Sequence, residues 1–218
     1  MGLLIAVEGL DGCGKTTVVI PTLLKLFEKQ GHTTSSFHAL KNTPMGDILY
    51  PIHCGHPDKM SATSQQLLAS VMFRENVERN VRPALLDDQY VIMDRWASST
   101  EVYQKGSTVM DELIRIATDN IIADYVVFCD ISHENSIKRV GHRGNADPRD
   151  ASNEQEFNQR RLDFIKSTDK RVAKSSFHLD CNGTEEEVKK QLKDIVDRIA
   201  TNEKRFSASL NRAYDKNY

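Results

Sequence analysis

The stretch EGLDGCGKTT at residues 8–17 constrains this chain more than any other part of it. It satisfies G-x-x-x-x-G-K-[ST], with Gly9, Gly14, Lys15 and Thr16 at the required places. LLIAV before it reads as a buried strand, and TTVVIPTLLKLFEK after it has the apolar spacing of a helix. Strand, glycine loop and helix in that order predict a phosphate cradle. Glycines let successive amide N–H groups turn inward as a polarised nest, and the helix N-terminus adds unpaired N–H groups. Lys15 supplies a full charge for β- and γ-phosphates, and the Thr16 hydroxyl is a ligand for Mg²⁺. The plainer alternative is a glycine turn that only joins strand to helix. Pro21, inside the predicted helix, predicts a lost hydrogen bond and a bend.

The rest of the chain alternates apolar runs with helical patterns. HTTSSFHAL, QYVIMD, DYVVFCD and SFHLD predict a second to a fifth strand, and the third and fourth each end in aspartate. SATSQQLLASVMFRENVERNVRPALLDD predicts a long helix capped by Ser61 and broken near Pro83, and an amphipathic helix is predicted from about Thr184 to Ala200. This alternation predicts an α/β fold: a five-stranded parallel sheet flanked by helices in three layers, with ligands beyond the carboxyl ends of the strands. At 218 residues the chain is long enough for one large core, taken here as residues 1–205. Residues 206–218 read as a polar C-terminal tail.

Composition narrows the partners. A net charge of -2 argues against a dedicated nucleic-acid binder. Cys13, Cys54, Cys129 and Cys181 lie far apart without a C-x-x-C, which predicts reduced thiols and a cytoplasmic protein. The N-terminal apolar run is too short for a membrane span or a signal peptide, and Ala6 stands where a myristoylation signal needs Ser or Thr. HCGH at His53–His56 crowds three metal-type side chains without a second ligand pair, so it reads as a loop beside the acceptor pocket.

The third strand runs into VIMDRWASSTEVYQKG. Asp94 at its end can hold a metal-bound water or accept a proton, and Arg95 can grip a phosphate bidentately. Strand-terminal aspartates also cap following helices, so the pair gains weight only beside the glycine loop. Together, EGLDGCGKTT and DRWASSTEVYQ resemble the signatures of the thymidylate kinase family. The likeness extends through TPMG, FREN, RPAL, DYVVFCDI, IKRVGHRGN and FNQRRLDF, in order over roughly residues 3–200. It implies the P-loop nucleoside monophosphate kinase fold, with γ-phosphate transfer from ATP to dTMP, Mg²⁺ as cofactor and a homodimer.

The resemblance also implies residue roles. Gly9, Leu10, Asp11, Gly12, Cys13, Gly14, Lys15, Thr16 and Thr17 would surround the ATP phosphates, and Thr16 with Asp94 would place Mg²⁺. Asp11 would approach the acceptor sugar, and Arg95 would align the acceptor phosphate with the donor. Arg74, Ser99, Thr100, Tyr103 and Gln104 would line the acceptor side, with Tyr103 under the deoxyribose. The acceptor is already an oxyanion, so Asp94 is expected to organise metal and arginine rather than take a proton. Position 12 is glycine, so the charge-neutralising arginine is expected in a lid at about residues 141–153. Arg143 is the first candidate and Arg149 the second, with Arg139 at the donor phosphates.

The base pocket departs from the family pattern. Ser70 stands where a stacking phenylalanine is usual, Thr100 where some members have asparagine, and Phe164 where many have tyrosine. HALKN replaces the usual Arg-Glu-Pro-Gly-Gly, so His38 or Lys41 would have to substitute. Losing a stacking ring removes about 1 kcal/mol of base affinity. A broader acceptor range, including dUMP or a modified pyrimidine, is therefore the second reading. A deoxynucleoside kinase would need a carboxylate base, Glu8 or Asp94, and fits Arg74 and Arg95 poorly. A P-loop switch lacks its K-x-D base reader here, and an inactive scaffold would not need Lys15, Thr16, Asp94 and Arg95 intact.

Overall fold

The computed structural model of the protein describes residues 2–55, 60–103, 109–141 and 153–215. Its sheet has five strands in the order β2-β3-β1-β4-β5, every neighbouring pair parallel. The strands are β1 (Leu3–Gly9), β2 (Thr34–His38), β3 (Tyr90–Asp94), β4 (Ala123–Asp130) and β5 (Val172–Asp180). β1 lies at the centre because both its faces are apolar as far as Glu8, and every residue of it is buried. β2, at one edge, is polar and only half-buried.

Helices cover both faces, and each face has its own core. On one, α1 (Ile20–Lys29), α8 (Glu154–Lys170) and α9 (Glu185–Asp215) bury Leu23, Phe27, Phe164 and Leu192 against the sheet. On the other, α3 (Ala62–Asn76) and α6 (Met110–Ala117) bury Phe73 and Ile114 beside Trp96. The remaining helices are α2 (Pro44–Gly55), α4 (Arg82–Leu86), α5 (Ala97–Tyr103) and α7 (His133–Gly141). Ser61 caps α3 as expected, its side chain accepting from the Ser64 N–H at 3.2 Å. α9 runs unbroken to Asp215, well past the expected end at Ala200 and into the segment read as a tail. Among the described residues, no helix is long and apolar enough to cross a membrane.

Neither proline breaks its helix. A π turn at Lys15–Val19 leads into α1, and a second at Val77–Val81 leads into α4. In each, the closing N–H reaches back five residues, from Ile20 to Lys15 and from Arg82 to Val77. The wide turn ends two residues before the ring, so Pro21 and Pro83 each stand in a fresh first turn, where no N–H is needed. The break expected at Pro83 is thus a local change of pitch.

Candidate active site

β1 and β3 end side by side, with Val7 paired to Asp94, and the loops leaving them enclose a cleft of about 330 Å³. The phosphate loop forms one end. Gly12 and Gly14 adopt φ of 83° and 84°, a left-handed backbone that glycine enters without strain. Gly12 also has no room for a side chain, because a Cβ there would come within 3.0 Å of the Ser136 backbone on α7. The Ser136 hydroxyl donates to the Asp11 carbonyl at 2.8 Å and ties α7 to the loop. With α7 packed this closely, position 12 has no room for an arginine side chain.

The Lys15 ammonium folds under the loop and donates to the Gly9 and Leu10 carbonyls at 2.9 and 3.0 Å. Burial pulls its pKa down, yet the Cys13 sulfur, Asp11 and Asp94 more than offset this and raise it, so the charge persists in the cleft. Cys13 points inward, and contact with Cys129 and the Lys15 charge lowers its thiol against the opposing effect of burial. Thr16 donates from Oγ1 to Asp94 Oδ2 at 2.7 Å, which brings together the two oxygens expected to serve a metal.

Arg95 sits at the hinge between the two ends of the cleft. Its backbone is left-handed, φ 73°, and its guanidinium bonds Asp11, the Gly9 carbonyl and the Ser99 hydroxyl. It also lies over the Tyr103 ring, 5.1 Å from the centroid. Glu8 holds this unusual turn in place. Its buried carboxylate accepts from the Trp96 N–H at 2.9 Å, the Ser99 N–H at 3.1 Å and the Ser99 hydroxyl. Burial raises the Glu8 pKa, and the Ser99 bond and the Arg95 charge draw it part of the way back.

The other end of the cleft is built from β2, α2, α3 and α5. His38 and Lys41 come from the β2 loop, Tyr50 and His53 from α2, Ala69 from α3, and Ser99, Thr100 and Tyr103 from α5. Lys41 lies over the Tyr50 ring at 4.3 Å. HCGH therefore begins inside a helix, not a loop, with His53 fully buried at the cleft wall. His56 lies outside the described residues.

The structure gathers most of the expected residues and sets others apart. Gly12, Gly14, Lys15, Thr16, Asp11, Asp94, Arg95, Ser99, Thr100 and Tyr103 all line the cleft. Arg139 reaches the loop from α7, its guanidinium donating to the Gly12 carbonyl at 3.5 Å. Arg74 does not reach the cleft. It pairs with Glu78 and Asp119, each at 2.6 Å, and donates to the Ile116 carbonyl, so charge and helix direction turn it toward α6. Ser70 is buried one residue beyond the cleft-lining Ala69, and Phe164 is a core ring packed under Tyr103 at 5.8 Å. Thr17 faces a separate groove between α1 and α9. Gln104, Arg143 and Arg149 lie outside the described residues, as does most of the expected lid.

Sequence reasoning missed the organising role of Glu8 and the contribution of Tyr50. A carboxylate ending an apolar strand was a usable signal for the first. Nothing local marked Tyr50, which depends on how α2 packs, whereas His53 was expected beside the pocket and differs only in lying on a helix.

Comparison with known proteins agrees with this geometry. Residues 7–199 match the model of the family described as thymidylate kinase. Over 147 residues the chain is 31% identical to a thymidylate kinase of Thermoanaerobacter sp. (strain X514), covering 65% of this chain and 72% of that protein. It is 34% identical over 152 residues to one from Blochmanniella pennsylvanica, covering 66% of this chain and 71% of that protein. A thymidylate kinase of Mycoplasma capricolum is 28% identical over 221 residues, covering 94% of this chain and all of the relative.

Proposed function

Since the chain belongs to the thymidylate kinase family, we propose that it transfers the γ-phosphate of ATP to dTMP, giving ADP and dTDP. One observation carries the reading: a buried ammonium, Lys15, and a part-buried guanidinium, Arg95, meet around Asp11 at the joint of two strands. Two cations so held suit two phosphates placed end to end. The attacking atom is an acceptor phosphate oxygen that is already anionic, so the chain needs no strong base. Alignment and charge neutralisation carry the rate. Lys15 and the loop N–H groups hold the donor phosphates, Arg95 holds the acceptor phosphate, and Tyr103 packs beneath the sugar.

Mg²⁺ fits the hydroxyl of Thr16 and the carboxylate of Asp94, two hard oxygen donors in contact, because this ion takes few protein ligands and completes its shell with phosphate and water. When bound, it would neutralise charge on the transferred group. Arg143, then Arg149, remain our candidates for the lid charge, with Arg139 at the donor phosphates. Gln104 stays assigned to the acceptor side. Exposed Ile48 and Ile52 on α2, with Leu67 and Val71 on α3, support a homodimer formed through these helices. Four unbridged cysteines suit a reducing cytoplasm.

A second reading has one observation in its favour. α3 offers Ala69 to the cleft and turns Arg74 away, so it supplies neither an aromatic ring nor a guanidinium to the base. That supports a wider pyrimidine range, including dUMP. Purified protein with Mg²⁺ and ATP, offered dTMP, dUMP, dCMP, dGMP and dAMP, tests both readings by kcat/KM. Preference for dTMP upholds the first, comparable rates on dUMP uphold the second, and no turnover of any monophosphate overturns both.

A further inference from the structure

The β2 loop is held in the cleft by an unusual buried clamp. Asn76, fully buried near the end of α3, donates from Nδ2 to the His38 carbonyl at 2.6 Å and the Lys41 carbonyl at 2.9 Å. Its own Oδ1 accepts from Asn80 at 2.8 Å, and Asn80 also donates to the Asn42 carbonyl at 3.1 Å. Asn42 completes the clamp by accepting from the His38 N–H at 2.7 Å. So many bonds on five residues fix the loop tightly.

What the clamp presents is the His38 imidazole. His38 is the register partner of Asp94, so it stands at the carboxyl edge of the sheet, one strand from Arg95. The Leu40 N–H donates to His38 Nδ1 at 3.1 Å. An amide N–H only donates, so Nδ1 must offer its lone pair, and the neutral ring carries its proton on Nε2. Among the described residues nothing accepts from that Nε2–H. Tyr50 steadies the ring edge-on at 5.6 Å. Lys15, Lys41 and Arg95 line the same cleft as this ring. The ring is therefore an uncharged donor set among three cations.

Resting on the functional reading above, we infer that His38 is an acceptor-binding residue whose Nε2–H donates to a phosphate oxygen of the nucleoside monophosphate, across the cleft from Arg95, with Asn76 as its positioning residue. A donor beside three cations is suited to an anion and poorly suited to the neutral base. Being neutral, it adds direction without a fourth buried charge to desolvate.

Paired substitutions and a spectroscopic readout test this. His38→Ala should raise KM for dTMP about 10- to 100-fold, as loss of a hydrogen bond to a charged group implies, and leave KM for ATP within about twofold. His38→Gln, whose amide N–H matches Nε2, should recover most of the loss. His38→Asn, whose amide matches Nδ1, should not. In ¹⁵N spectra of the wild type at neutral pH, His38 should show the neutral Nε2–H form, and dTMP alone should shift it. An unchanged dTMP KM in His38→Ala, equal rescue by Asn and Gln, or an Nδ1–H ring overturns the assignment. Absence of dTMP turnover by the wild type would fail the functional reading by itself. The assignment is then decided by whether inorganic phosphate shifts the Nε2 resonance.

Discussion

The two ends of the cleft obey different rules. At the glycine-loop end, proposed for the donor, almost every contact comes from one short run of sequence, residues 8–16, bonded to itself and to the strand ends beside it. At the other end, proposed for the acceptor, the wall is assembled from β2, α2, α3 and α5, and no two of its aromatic side chains are neighbours in the chain. A self-contained loop fixes its chemistry through backbone geometry, so its letters admit few alternatives. A composite wall fixes its chemistry by packing, so equivalent positions can be refilled by different residues.

The sharpest way to break this contrast is to remove its two cations. Lys15→Ala and Arg95→Ala should each lower kcat/KM by about a thousandfold or more, with the far-ultraviolet circular dichroism unchanged. If either variant keeps near-normal kcat, its end of the cleft is not the phosphate grip described. Next in size is the strut between the ends. Glu8→Ala leaves the buried Trp96 and Ser99 N–H groups without their acceptor, so unfolding stability should fall by about 2–3 kcal/mol. Denaturant melts measure this, and dTMP turnover should suffer as the Arg95 turn relaxes.

Gly12→Ala probes the donor end more gently. Its left-handed backbone and the nearby Ser136 predict a loss of about 1–2 kcal/mol and a raised KM for ATP, with less effect on KM for dTMP. An equal rise for both substrates would show that the loop and the acceptor wall are not separable. The smallest effect belongs to Arg74→Ala. Its partners are part-exposed, so stability should change by no more than about 1 kcal/mol, and the dTMP KM should stay within about threefold. A tenfold rise in that KM would bring Arg74 back to the acceptor.

The same contrast explains what could be read from the letters. Sheet composition, strand positions, the Ser61 cap and the gathering of Lys15, Thr16 and Asp94 in one cleft followed from local patterns: period, motif spacing and turn chemistry. Arg74 did not, because counting along α3 cannot tell which helix face meets the cleft and which meets Asp119. The continuity of the helices through Pro21 and Pro83 was also hidden, since a π turn has no reliable signature in composition. His38 stood in view as a possible substitute. Its tautomer depends on the Leu40 amide, which only the folded loop brings to it.

The embrace of Arg95 by Asp11 has a consequence for how the enzyme idles. On the proposed reading, the guanidinium that would receive the monophosphate already holds a carboxylate, so an arriving phosphate would have to displace it rather than fill an empty seat. A doubly charged newcomer would win that exchange, while a singly charged or neutral nucleoside would gain too little to evict it. Discrimination against unphosphorylated sugars would then be built into the resting molecule, before any base has been inspected.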